Sequence, residues 1–261
     1  MLKKILKKAM PYALAVAVSL APFTSFSKSK RADKQSKFYE IVKKIRCPLE
    51  EKSKLIPEAY GALLITLANH ELGHAKVLME NNVPFKIKIY PTGNKDRGFK
   101  FLGGECLYFQ ELPPEEEARV SVAGINNAEE LGRNLEAQLK LGFVDSEFLA
   151  MVALLSRLNF FEYYAKTNME TLLGMEHSSG DDIINYLKFS NDSAKSVSAR
   201  MAVDLIFNLK NYYELFKAAN GKKLKERNYA IFVDCSLDRC GVYFYANASK
   251  LEEALEKALK N

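Results

Sequence analysis

Two of the three histidines in this chain, His70 and His74, stand four residues apart in "NHELGH", with Glu71 directly after the first. On an α-helix, residues i and i+4 share a face one turn apart, so both imidazoles can reach one ion. Zinc accepts imidazole nitrogen at about 2.0–2.1 Å, and this pair would fill two of its four tetrahedral positions. Glu71 is rotated by about 100° from His70 and falls beside such an ion, not on it. A base for an activated water belongs there. A Lewis-acidic ion lowers the pKa of water toward ~7 and polarises a carbonyl, while a neighbouring carboxylate takes the proton and hands it to a leaving amine. The expectation is therefore a zinc cofactor held by His70 and His74, Glu71 as general base, and a peptide or protein as substrate.

The competing explanation is a polar turn of an ordinary helix. It is weakened by the apolar "YGALLITLA" just before the motif, because a charge buried there without a partner costs several kcal/mol. A bound metal removes that cost. Gly73, between the two histidines, leaves room for close packing.

The motif must be carried by a long helix. "EAYGALLITLANHELGHAKVLMENN" has no interior proline and ends in Asn81-Asn82, a helix stop, while Pro57 and Glu58 open it. "PFKIKIY" then alternates apolar and basic residues as a half-exposed strand does, "PTGNKDRG" is a turn, and "FKFLGGECLYF" reads as the returning strand. A second long helix follows Pro113-Pro114 and closes at Gly142, with Glu115–Glu117 at its positive end. "DSEFLAMVALLSRLNFFEYYAK" reads as one helix capped by Asp145 or Ser146, followed by the loop "HSSGDD". "DIINYLKF" and "SAKSVSARMAVDLIFNLKNYYELFKAAN" are further helices, the latter stopping at Gly221. "YAIFVD" and "GVYFYA" form a hairpin, and "SKLEEALEKALKN" a short amphipathic helix. The fold class expected is α+β, mainly α, a zincin-like helical domain over residues 57–221 with a hairpin-helix unit over 222–261.

The stretch "NHELGHAKVL" resembles the His-Glu-Ala-Gly-His helix of the FtsH-type membrane-anchored metalloproteases. In that family the helix leads through a strand, a turn and a second strand into a helix containing Gly-Gly-Arg-Ala-Ala-Glu-Glu. Here "KIKIYPTG" and "FKFLGGECLYFQELPPEEEARVSVAGINNAEELG" run in the same order, with Ala123-Gly124 and Glu129-Glu130 in matching places. The likeness covers roughly residues 60–135, and only the five-residue motif is specific. The ATPase module of that family has no counterpart in these 261 residues. Site-2-type intramembrane peptidases share the motif but need spanning helices. The resemblance implies a third ligand, an aspartate on a later helix in an Asn-Asp-Leu/Ile context. Asp182 in "SSGDDIINYL" is the best match, farther downstream than the family places it. His177 and Asp181 compete for that position, as do Glu129 or Glu130 in a different subclass. Helix capping explains an aspartate there equally well. Asn126 and Asn127 could face the site from the neighbouring helix or belong to a polar surface.

Composition narrows the remaining classes. Of the net charge of +6, four charges come from Lys3, Lys4, Lys7 and Lys8. What remains is no nucleic-acid footprint. "MLKKILKK", the apolar "YALAVAVSLAPF" and the polar "TSFSKSK" read as an export signal over residues 1–27, cleaved or kept as an anchor, with a linker and short helix over 28–56. The apolar run is short of the ~20 residues that span a bilayer, and "FLAMVALL" and "MAVDLIFNL" are shorter still. The protein is expected outside the cytoplasm: periplasmic, secreted, or associated with the membrane peripherally or through that anchor. An oxidising compartment permits disulfides among the four cysteines. Cys235 and Cys240 flank "SLDR" and staple the hairpin, which leaves Cys47 and Cys106 for each other; their spacing does not suit a four-cysteine zinc site. Two alternatives stand beside the peptidase: a metal-binding homologue that does not cleave peptides, and a helical binding module of the envelope whose motif is coincidental.

Overall fold

The computed structural model describes residues 55–92, 101–173 and 181–250, together with Glu252 and Glu256. The export signal, most of the linker, Cys47, His177 and most of the C-terminal helix lie outside the described residues. The fold is α+β and mainly helical. In chain order it runs α1 (Leu55–Glu80), β1 (Phe85–Thr92), β2 (Phe101–Tyr108), α2 (Pro114–Leu141), α3 (Glu147–Arg157), α4 (Asn159–Leu173), α5 (Asp182–Phe189), α6 (Ala194–Ala219), β3 (Tyr229–Cys235) and β4 (Cys240–Ala246). Each strand pair is antiparallel and two-stranded. Among the described residues, no helix is long and apolar enough to cross a membrane.

Local chemistry accounts for most element ends. Asn82, at φ 55°, turns the chain out of α1. Gly142, in the left-handed region at φ 76°, closes α2 and bonds back to Gln138 and Leu139. Ser146 caps α3 by accepting from the Leu149 amide, and Ser193 does the same for α6. One expectation is corrected. The single helix read over 145–166 is broken at Leu158, where α3 gives way to α4. The break separates Arg157, which enters a buried charged layer, from Asn159, which faces His70.

Helix α2 is the centre of the molecule and packs on α1, α3, α4, α5 and β3. Its apolar positions divide between neighbours. Ala118, Val122 and Ile125 meet Phe160, Ile183 and Tyr186, while Leu139 joins Ala150, Leu154 and Leu215. Val120 closes a third cluster with Val77, Leu78 and Val83 under the first strand pair. The C-terminal hairpin is tied to this helical layer by charge. Asp234 accepts from both Arg133 and Arg157, and Asn208 donates to the Val233 carbonyl at 2.7 Å. Cys235 and Cys240 form a disulfide across the last register pair of the hairpin. Among the described residues, Cys106 has no disulfide partner; Cys47, expected to pair with it, lies outside them.

The buried layer contains the carboxylates of Glu129, Glu136, Asp204 and Asp234 but only the cations of Arg133, Lys140 and Arg157. Glu136 pairs with Lys140, and Asp204 accepts from Tyr212, Asn208 and the Cys235 amide. Among the described residues, neither carboxylate oxygen of Glu129 has a hydrogen-bond partner. Burial, then repulsion from Asp204, pushes its pKa well above an ordinary glutamate's despite Arg157 and Arg133. A raised folded-state pKa favours folding below the ordinary value and loses that contribution as pH rises through the folded value. Glu129→Gln, which mimics the protonated acid, is therefore expected to raise the melting temperature. Melts at pH 5 and pH 8 should show the larger gain at pH 8; equal or reversed gains would mean that Glu129 is ionised in the fold.

Candidate metal centre

The histidine face of α1 lies against α2, α3 and α4. Thr66 meets Ser156 at 3.1 Å, and Asn69 and Asn127 exchange hydrogen bonds with each other's backbone carbonyls at 2.8 and 2.6 Å. Asn127 thus sits beside the site as part of the helix crossing, whereas Asn126 donates to Asp238. The crossing is close. A methyl added at Gly73 would lie 2.7 Å from the Ala123 carbonyl carbon and 2.8 Å from Asn127 Cβ.

His70 Nδ1 lies 3.1 Å from Asn159 Oδ1, and His74 Nδ1 lies 2.6 Å from the Val120 carbonyl. Oxygens of this kind only accept, so each Nδ1–H donates, and in the neutral imidazole each Nε2 keeps its lone pair. The two Nε2 atoms are 3.0 Å apart. Asp182 Oδ2 lies 2.9 Å from His70 Nε2 and 3.5 Å from His74 Nε2. It is also a buried oxygen that receives no well-formed hydrogen bond. With neutral imidazoles and an ionised carboxylate, three buried lone pairs face one small space, a crowding that a proton on His74 or a bound cation relieves. Four ligands around zinc at about 2.0–2.1 Å stand about 3.3 Å apart on tetrahedral edges, which the observed separations bracket.

Gly124 leaves that space open. A methyl there would fall between the imidazoles, 2.5 Å from His70 Nε2 and nearer still to His74 Nε2. His70, His74 and Asp182 are the group among the described residues able to hold a metal. Burial opposes a charge on His74, but the carboxylates of Asp182 and Glu71, with the Val120 carbonyl, lift its pKa to about 9. The same histidines hold the Asp182 carboxyl far below the usual range despite its burial. Glu71 is buried beside the group; loss of solvent raises its pKa, and the two histidines pull it back. Strand β2 covers Glu71 at a glycine, because a methyl at Gly104 would come within 2.9 Å of Glu71 Cγ and Cδ.

The two aspartates separate by role. Asp181 caps α5, accepting from the Ile183 and Ile184 amides and from the Thr167 hydroxyl. Asp182, in the first turn, points at the histidines. Glu129 lies in the charged layer described above and outside the His70–His74–Asp182 group, and Glu130 is exposed. His177 lies outside the described residues. Sequence reasoning passed over Asn159, Tyr163, Gly104 and the part of Gly124 in the cradle. Only the Asn159/Tyr163 i, i+4 spacing could have flagged any of them. No family model, curated protein or solved structure matches the chain.

Gly124→Ala is expected to keep the helical circular dichroism and to lose uptake of one equivalent of zinc, measured by elemental analysis. A full equivalent in the variant would show that the cradle is not where the ion sits.

Proposed function

We propose that this protein is a zinc-dependent metallopeptidase in which His70, His74 and Asp182 hold the ion and Glu71 is the general base. The observation that carries this reading is the convergence of two ε nitrogens and one carboxylate oxygen beside a fourth buried group, the Glu71 carboxylate. When bound, zinc supplies Lewis acidity that acidifies a water and polarises a carbonyl. The chain's own residues do the rest. Asn159 and the Val120 carbonyl fix the imidazole tautomers. Glu71 takes a proton at its carboxylate and returns it to the leaving amine nitrogen. Strand β2, laid over Glu71, shields the carboxylate from water. Among the described residues it has one unpaired edge in its two-stranded sheet, to which an extended peptide can add.

The likeness of residues 60–135 to the FtsH-type metalloproteases supports this reading. Asp182 is the best match for the aspartate expected on a later helix, and α3 and α4 would account for its greater distance downstream. The export signal read in residues 1–27 would place the activity outside the cytoplasm or at the membrane surface. A second reading, a metal-binding homologue without peptidase activity, is favoured by one observation: Glu71 is only 3% exposed.

Zinc per chain is the first measurement. About one equivalent is expected in the native protein, none in His74→Ala, and at least a tenfold weaker affinity in Asp182→Ala. Glu71→Gln should keep its zinc while cleavage of a mixed-peptide library falls by about 10²–10⁴. Zinc without cleavage in the native protein selects the second reading. Negligible zinc after zinc has been supplied removes both.

A further inference from the structure

Helix α4 carries Asn159, Tyr163 and Thr167 at successive i, i+4 positions, so the three lie along one face. In order, they engage His70 Nδ1, His70 Nε2 and the Asp181 cap. Asn159 and Thr167 have evident work: one sets the tautomer of His70, the other steadies the turn that presents Asp182. Tyr163 is different. Its hydroxyl is 3.1 Å from His70 Nε2, the nitrogen that faces the cation position, and Gly124, Asp182 and Tyr163 surround that nitrogen from three helices.

The ring geometry shows which side of the cation position the hydroxyl takes. Tyr163 and His70 are stacked, with centroids 4.9 Å apart and planes 11° from parallel. A hydroxyl aimed along the in-plane lone pair of Nε2 would hold the two rings end to end, with centroids much farther apart. Stacking instead lifts Oη above the imidazole plane, off the axis on which a metal would bind. The phenol hydroxyl therefore stands off the Nε2 axis, at the edge of the space shared by His70, His74 and Asp182.

We propose that Tyr163 is a catalytic hydrogen-bond donor, its hydroxyl serving the carbonyl oxygen of the scissile bond as negative charge develops on it. The proposal rests on the metallopeptidase reading. The phenol keeps its proton throughout. It strengthens one hydrogen bond as the carbonyl oxygen becomes anionic, which stabilises the transition state more than the bound substrate.

Tyr163→Phe keeps the stacked ring and removes only the hydroxyl. The experiment is cobalt substitution of native protein and variant, followed by titration with acetohydroxamate, whose oxygens stand in for the reacting carbonyl and water. The cobalt stoichiometry and the visible spectrum before titration are expected to match. Acetohydroxamate should bind the variant about tenfold to a hundredfold more weakly, the size of a lost hydrogen bond to a charged group. On peptides, kcat should fall about 10²–10³-fold with KM little changed. Equal acetohydroxamate affinity would overturn the proposal. So would a changed cobalt spectrum or lost cobalt in the variant, which would make Tyr163 a ligand or a prop for His70. Weaker acetohydroxamate binding without peptide cleavage by the native protein would overturn the peptidase reading and with it the role at a scissile bond, while Tyr163 would stand as a donor to an oxygen ligand. No cobalt in the native protein would overturn both.

Discussion

Helices α1 and α2 cross with backbone against side chain, and everything at the candidate site depends on that approach. Gly73 admits the Ala123 carbonyl, and Gly124 leaves the gap between the two ε nitrogens. Larger side chains at these two positions would hold the helices apart, and His74 could no longer donate to the Val120 carbonyl. The Asn69–Asn127 exchange of hydrogen bonds locks the crossing laterally, because each amide satisfies a carbonyl of the opposite helix. Close packing and lone-pair orientation are thus one event.

The remaining corner of the site is assembled from the far side. The break at Leu158 starts α4 afresh, so that one of its faces meets His70 and the start of α5 together. Asp181 spends its carboxylate on backbone amides and the Thr167 hydroxyl, which leaves the neighbouring Asp182 unengaged by the helix end and free to face the imidazoles. Two adjacent aspartates with the same chemistry are distinguished only by their direction around the first turn of a helix. From the other side, β2 closes over Glu71 at Gly104.

The charged layer behind α2 serves a different purpose. Arg157, fully buried, spans from Glu136 to the hairpin carboxylate Asp234, so α2, α3, α6 and β3 share one polar seam. Removing a single partner from such a seam leaves an uncompensated buried charge, which is costly even where the whole seam adds little over a packed apolar one. Glu129, the carboxylate left over, has its pKa pushed well above an ordinary glutamate's, first by its burial.

Much of this architecture was legible in the sequence, because it is set by local chemistry. The 3.6-residue periodicity, the cap at Asp145 or Ser146 before α3, the glycine stop at Gly142 and the period-two strands each depend on residues within a turn or two of one another. The spacing of His70 and His74 likewise determined that both imidazoles share one face of α1. Tertiary structure alone decided what meets that face. Whether Asp181 or Asp182 turns toward the histidines depends on how α4 and α5 dock. That Gly104 lies over Glu71, and that Tyr163 stacks on a ring 93 positions earlier in the chain, depends on which helix lies across which. The physical reason is range: hydrogen bonds along a helix or hairpin are written in neighbouring residues, whereas contact between distant segments is decided by packing the whole chain around α2.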